Sequence, residues 1–341
     1  MKLIRTQDAV GQVLCHDITQ IIPGITKDAI FRKGHIVQEI DIEILLSVGK
    51  EHLYIWEADE QMLHENEAAE ILCELCRNQN MYATEAKEGK IELIAEEDGL
   101  LLVDVERLRM VNSIGNMMIA TRTSGYPVKK GEKLCGTRII PLIIEKNKME
   151  EVKQAVGEEP LLKLLPLQKL DFGIINTGSE IYHGLIEDRF TPVLKEKMEA
   201  YGCKMKAHVI CDDNPEQITA TIQQMDAEGI ELILCTGGMS VDPDDRTPLA
   251  IKNAGVEIVS YGAPVLPGAM FLVSYLPDDR VVCGLPGCVM YSKRTIFDIV
   301  LPWILAGERV TPDWLAGLGH GGLCLSCEQC HFPNCAFGKG M

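Results

Sequence analysis

One stretch of this chain constrains its fold more than any other. Between about residues 168 and 307, short apolar runs alternate with helical patterns, and each of three helices opens on a proline. The run 172–175 comes first. Thr191-Pro192 then opens a helix with Leu194, Met198 and Tyr201 at i, i+4 and i+7, and Gly202 closes it. Thr followed by Pro reads as an N-cap and first helical residue, because proline's missing N–H is not needed in the first turn. Asn214-Pro215 opens a second helix carrying Ile218, Ile222 and Met225, with Gly229 past its end, and Thr247-Pro248 opens a third that closes near Gly255. The apolar runs 207–211, 230–235 and 256–261 lie between them. This alternation predicts βαβ units on a mostly parallel sheet covered on both faces, a three-layer αβα domain over 165–310. Ligands of such sheets bind beyond the carboxyl ends of the strands, so the loops leaving the strands are the ones to inspect.

The sequence ahead of this domain reads as two smaller segments. Residues 1–80 mix short apolar pieces with turn signals at Pro23-Gly24 and Lys33-Gly34, and a short helical pattern covers 41–48. Residues 51–76 hold no Lys or Arg, and Leu63, Ala68, Ile71, Leu72 and Leu75 form a rough stripe, which predicts a surface helix with a solvated acidic face. Residues 81–150 carry strand-like runs at 91–94, 100–105 and 117–120, punctuated by Asp98-Gly99, Ser124-Gly125 and Lys130-Gly131, and so read as a small β-rich domain within an α+β region. A Lys/Glu-rich helix and linker follow at 145–159, and residues 318–341 form a Cys-rich tail.

Charge narrows the partners. The 33 Lys and Arg against 50 Asp and Glu leave a net charge of −17. That argues against nucleic acid or an anionic membrane, both of which select clustered cations. No apolar run approaches the roughly 20 residues of a membrane span, and the opening MKLIRTQDAVGQVL lacks the apolar core of a secretory signal, so a cytoplasmic location is expected. Small anions remain acceptable, since backbone N–H groups can hold them without net positive charge.

Three loops leave consecutive strand ends. The first is Asn176-Thr177-Gly178-Ser179-Glu180; the second runs from Thr236-Gly237-Gly238-Met239-Ser240 to Thr247-Pro248; the third is Gly284-Leu285-Pro286-Gly287-Cys288. Each supplies glycines whose backbone can approach a phosphate or carboxylate closely. The second also holds Asp242, Asp244 and Asp245. Clustered carboxylate oxygens beside a phosphate suit Mg²⁺. One such Asp is explained by favourable placement ahead of a helix; three exceed that need.

These three loops, TGSEI at 177–181, TGGMSVDPDDRTP at 236–248 and LPG at 285–287, resemble in order and spacing the molybdopterin-binding domain of molybdenum cofactor biosynthesis proteins. The TGG loop with its Asp and Thr-Pro is similar to the adenylyltransferase branch (MogA, MoaB). The later LPG loop, the β-rich segment and, more loosely, Val10-Gly11 and Phe31-Arg32-Lys33-Gly34 resemble the molybdotransferase branch (MoeA). The resemblance implies binding of molybdopterin, in its adenylylated form, with Mg²⁺-dependent molybdate insertion and AMP release. It implies Asp245 as the Mg²⁺-positioning and catalytic residue, with Asp242 beside it and Asp188 at the acidic position after the first loop. It implies ligand contacts from Thr177, Gly178, Ser179, Glu180, Thr236, Gly237, Gly238, Ser240, Thr247, Pro286 and Gly287. Molybdate, a client molybdoenzyme and self-association into a homo-oligomer complete the implied partners. The chain departs from the molybdotransferase pattern at Asp188-Arg189-Phe190, at Ala269 in place of Lys, and at Cys288-Val289 in place of Asn-Pro. The lost Lys removes a point charge for phosphate, which Arg189 or Arg246 could replace. A pterin carrier or sensor without turnover, and a nucleotide-pyrophosphate hydrolase similar to the CinA family, are the alternatives.

Of thirteen Cys, most sit singly in apolar runs, but four close the chain as Cys324-x₂-Cys327-x₂-Cys330-x₄-Cys335, flanked by His320 and His331. Four soft thiolates this near suit Zn²⁺ or an iron–sulfur cluster, and redox disulfides or an inert tail are the other readings.

Overall fold

The computed structural model describes residues 2–22, 26–55, 61–240, 242 and 245–340. The turn expected at Pro23-Gly24 and the carboxylate of Asp244 lie outside them. The chain divides into two compact units. The first comprises residues 1–94, 104–122 and 133–162, the second 95–103, 123–132 and 163–341.

The first unit is a mixture of small antiparallel sheets and helices. Residues Lys2–Arg5 pair with His52–Ile55, and Ile18–Ile22 with Thr26–Phe31. Leu14, Ile18, Val37, Leu45 and Leu53 are buried together beneath them. Helix Glu65–Cys76 forms where the apolar stripe predicted it, and a capping box joining His64 and Glu67 starts it. Strands Ile91–Ala95 and Met117–Thr121 match expected β-rich runs, and Lys133–Ile139, which the sequence reading did not mark, pairs with both. Helix Val105–Ile114 was not foreseen; Asp104 caps it by accepting the Arg107 N–H at 2.9 Å.

The second unit contains the βαβ domain. In chain order its elements are β1 (Asp171–Thr177), α1 (Phe190–Glu199), β2 (Lys204–Cys211), α2 (Pro215–Ala227), β3 (Leu232–Thr236), α3 (Thr247–Asn253), β4 (Glu257–Tyr261), β5 (Leu272–Tyr275), β6 (Val281–Leu285) and α4 (Ile296–Leu305). The sheet order is β2-β1-β3-β6-β5-β4. β2, β1, β3 and β6 run parallel, and β5 is antiparallel to both of its neighbours. Strand pleating explains the two cores. Phe172, Ile174, Leu232 and Leu234 face one side and pack with Leu194 and Met198 of α1 and with α4. Ile175, Ile233 and Cys235 face the other and pack with Ile218, Ile222 and Met225 of α2 and with Ala250 and Ile251 of α3. Each large side chain so buried contributes roughly 1.5–3 kcal/mol. That explains why β1 and β3 read as unbroken apolar runs rather than alternating ones.

Two details differ from the sequence reading. β5 was missed because it is four residues long and lies between a Pro-Gly turn and a second turn. The third loop runs into a one-turn 3-10 helix, Gly287–Met290, and α4 begins only at Ile296, where Thr295 and Asp298 form a capping box.

Candidate functional site

β2 and β3 flank β1 on opposite sides, so the chain reverses its direction across the sheet at β1 and β3. The crevice of an open parallel sheet lies at such a point, beyond the carboxyl ends. Here those ends are Thr177 and Thr236, and the first two predicted loops leave from them.

The loop after β3 is pressed against the end of β1. Gly237 and Gly238 both adopt positive φ, +83° and +52°. A Cβ on Gly237 would lie 2.0 Å from the Thr177 carbonyl oxygen, and one on Gly238 2.9 Å from Thr247 Oγ1. Only glycine fits both the torsion and the space. Behind them the buried hydroxyls of Thr177 and Thr247 share a 2.9 Å hydrogen bond, and the Thr247 N–H donates to the Gly238 carbonyl at 3.3 Å. The Ser240 N–H donates to Asp245 Oδ2 at 2.8 Å, and the Asp245 N–H to the Asp242 carbonyl at 2.9 Å. From β4 the Tyr261 hydroxyl reaches over to donate to the Met239 carbonyl at 3.0 Å. Burial, and then the charge of Asp245, push the Tyr261 pKa up and keep it a donor.

The result is a cavity of about 230 Å³ between the ends of β3 and β6, lined by Gly237, Gly238, Ser240, Asp245, Pro286 and Gly287, with Met239 and Met270 as its apolar wall. Asp245 is the single charged residue among the described lining residues. A Cβ on Gly287 would meet nothing within 4 Å, so this glycine opens onto free space.

Other predicted residues hold neighbouring positions. Gly178 has φ +138° and leads into the one-turn helix Ser179–Tyr182. Ser179 is held by two carboxylates that follow β2: its N–H donates to Asp213 Oδ2 at 2.9 Å and its hydroxyl to Asp212 Oδ1 at 2.9 Å. That hydroxyl, and then the Asp213 N–H, hold the Asp212 carboxyl below the usual range. Glu180 is exposed, and its carbonyl accepts the Leu185 N–H at 2.8 Å. The Thr236 hydroxyl is fully buried and donates to Asn176 Oδ1 at 2.9 Å. Asp188 caps α1, accepting the N–H groups of Phe190 and Thr191 at 2.8 and 3.0 Å, and lies 3.4 Å from His208 Nε2.

The Thr-Pro signals therefore work differently from the expectation. α1 and α3 begin one residue before or at the threonine, and neither Thr is the N-cap. Thr191 is freed to bond Asn176 Nδ2 at 3.2 Å and His208 at 3.0 Å, and Thr247 to bond Thr177. Asn214 does cap α2, accepting the Gln217 N–H at 2.9 Å.

Sequence reasoning missed Asp212, Asp213, Tyr261 and Met270. The Asp pair stands directly after the run 207–211, so the strand-end rule could have found it. Tyr261 and Met270 come from elements with no such signal.

Cys324, Cys327, Cys330 and Cys335 lie together elsewhere in this unit, on the wall of a cavity of about 720 Å³. Among the described residues, no three His, Cys, Asp or Glu side chains converge as ligands of a single ion. No described helix is long and apolar enough to cross a membrane.

Comparison with known proteins fits the sheet and its loops. Residues 173–306 match the family described as a probable molybdopterin binding domain, and residues 3–57 match a domain of unknown function (DUF8806). The chain thus carries a molybdenum cofactor biosynthesis domain over its α/β region. A molybdopterin molybdenumtransferase of Synechococcus elongatus is 28% identical over 207 residues, 57% of this chain and 49% of that protein. A CinA-like protein of a Mycobacterium species is 36% identical over 88 residues, 26% of this chain and 21% of that protein. The chain thus spans about half the length of the first relative and about a fifth of the second. Among solved structures, the molybdopterin biosynthesis enzyme MoaB of Thermus thermophilus covers 41% of this chain, and 98% of its own length, at 21% identity and a TM-score of 0.34.

Proposed function

We propose that the loops after β1, β3 and β6 bind adenylylated molybdopterin, and that the protein promotes Mg²⁺-dependent insertion of molybdate with release of AMP. The observation that carries this reading is the cavity at the ends of β3 and β6, built from Gly237, Gly238, Ser240, Asp245, Pro286 and Gly287 inside a molybdopterin-binding-type domain. At about 230 Å³ it is smaller than the ~300–1,000 Å³ of a whole drug-sized ligand site, so it takes the pyrophosphate and leaves the pterin outside. Gly237 and Gly238 present N–H groups that bond no protein acceptor among the described residues. A pyrophosphate set against Asp245 would be repelled without a divalent cation between them. Asp245 suits that ion: Ser240 holds one carboxylate oxygen, and among the described residues the other has no hydrogen bond. Mg²⁺ binds with one or two carboxylates plus substrate oxygens, and when bound it would draw charge from the bond that releases AMP. The protein's own share is to fix the pyrophosphate, which is the larger part of catalysis in phosphoryl chemistry. The same reading takes residues 165–310 as the ligand domain of a cytoplasmic, self-associating enzyme that serves a client molybdoenzyme.

The test is AMP release by the full chain, purified anaerobically, from adenylylated molybdopterin with Mg²⁺. Release that needs molybdate, and that Asp245→Ala abolishes, supports the proposal. The local match to a CinA-like protein favours a second reading, hydrolysis of a nucleotide pyrophosphate. AMP released equally without molybdate would establish that instead. Tight pterin binding with no AMP under any condition would make the protein a carrier.

A further inference from the structure

The larger cavity shares no lining residue with the one at the ends of β3 and β6, and its walls are chemically unusual. All four tail cysteines line it, and all are free thiols. Cys324 and Cys335 are half-buried against the apolar core, whereas Cys327 and Cys330 are exposed. The loop that carries them is tied at both ends. On entry, the Leu266 N–H donates to the Gly322 carbonyl and the Cys324 N–H to the Leu266 carbonyl, both at 2.8 Å. On exit, Phe337 is buried and its carbonyl accepts the Tyr126 hydroxyl, while the Gly338 N–H donates to Gly321 at 2.9 Å. Residues between these anchors form neither helix nor strand, so they can wrap a guest.

Two cations share the wall. The Arg294 guanidinium lies 5.1 Å over the Phe332 ring and pairs with Asp298 Oδ1 at 2.8 Å. Lys293 Nζ donates to the Glu328 carbonyl at 2.9 Å.

The placing of the thiols separates the two candidate guests. One Zn²⁺ draws four sulfurs to about 2.3 Å from a single point and fills a closed structural site. Here the four thiols line one cavity, and among the described residues no three of them converge on a single ion. A polynuclear cluster sets its thiolates farther apart than one ion does. Its sulfurs also accept hydrogen bonds, which tune it. The spacing Cys-x₂-Cys-x₂-Cys matches the first three ligands of the bacterial ferredoxin run. We propose that Cys324, Cys327, Cys330 and Cys335 bind an iron–sulfur cluster whose negative charge faces Arg294 and Lys293.

The full chain, supplied anaerobically with ferric iron, dithiothreitol and sulfide, is the material for the test. The expected product is brown protein with equal amounts of bound iron and acid-labile sulfide, and a broad visible absorption that bleaches on reduction. Cys327→Ser combined with Cys330→Ser should lose that absorption. Both side chains are exposed, so circular dichroism and the melting curve of the variant should match the parent and show that folding is intact. Three results overturn the proposal: protein that stays colourless after loading, stoichiometric zinc that displaces iron and needs no sulfide, or a double variant that keeps the parental iron and sulfide. None of these readouts depends on the pterin site.

Discussion

Two cavities of the α/β unit are built in opposite ways. The one at the ends of β3 and β6 is a by-product of the sheet. Its glycines, its buried threonine pair and the Tyr261 strut are fixed by elements that would pack the same way without a ligand. The one among the tail cysteines lies in irregular chain tied at its two ends, to Leu266 on entry and to Gly321 and the Tyr126 hydroxyl on exit. The contrast teaches where binding energy goes. A preformed site loses little conformational entropy when it is filled, whereas a loop must be ordered by its guest at roughly 1–2 kcal/mol per residue fixed. Substitution should therefore harm folding and binding together in the first cavity, and guest retention before folding in the second.

The sharpest break of this comparison lies within the first cavity, between two of its glycines. Gly237→Ala should cost about 2 kcal/mol or more, because the new methyl meets the Thr177 carbonyl at 2.0 Å on a left-handed backbone. Gly287→Ala should leave stability within about 0.5 kcal/mol, since nothing stands within 4 Å, yet weaken binding of adenylylated molybdopterin by intruding on the space proposed for its pyrophosphate. Thermal melts read the first change and ligand titration the second. Thr177→Val comes next. It strips the buried Thr247 hydroxyl of its partner, at about 1–3 kcal/mol, and the loss should be non-additive with Thr247→Val in a double-mutant cycle followed by denaturant unfolding.

The same contrast explains what could be read from the sequence. The order of strands and helices was legible because burial on both faces leaves unbroken apolar runs in β1 and β3, and because Asn214-Pro215 and the closing glycines mark helix ends. The cavity-lining residues Gly237, Gly238, Asp245 and Gly287 were legible because strand-end loops are local in sequence. What stayed hidden was created at a distance. Tyr261 reaches the glycine loop from β4, and Met270 comes from the turn before β5. Thr191 and Thr247 looked like caps, and only the juxtaposition of β1 with these helices turns their hydroxyls toward Asn176 and Thr177. The cysteine spacing raised the expectation of a metal site but gave no sign of the cavity, since the cavity needs Arg294 and Tyr126 from remote positions.

Tyr126→Phe sharpens the other side of the comparison. Removing its hydroxyl bond to Phe337 should cost about 1 kcal/mol, felt by the tail and not by the sheet. Limited proteolysis should then cut within 326–336 sooner, while the main melting transition stays in place. Loading with iron and sulfide should restore resistance to the protease. Equal sensitivity of the sheet and the tail would mean that the tail is an integral part of the core, and the contrast would fail.

The smallest effect returns to the first loop. Asp212 is half-buried, and its carboxyl is held below the usual range by the Ser179 hydroxyl and then by the Asp213 N–H. A carboxylate whose pKa falls on folding stabilises the fold above its unfolded pKa of about 3.9, and that contribution is lost as the pH drops through the lower folded value. Asp212→Asn should therefore cost a small amount of stability between pH 5 and pH 7 on the order of a surface interaction. Parent and variant should converge as the pH falls below the folded value. Melts in parallel across this range decide it. A difference that persisted unchanged in acid would show that the Ser179 hydrogen bond, and not the charge on Asp212, holds the loop after β1, and would place this loop with the rigid, charge-independent part of the site.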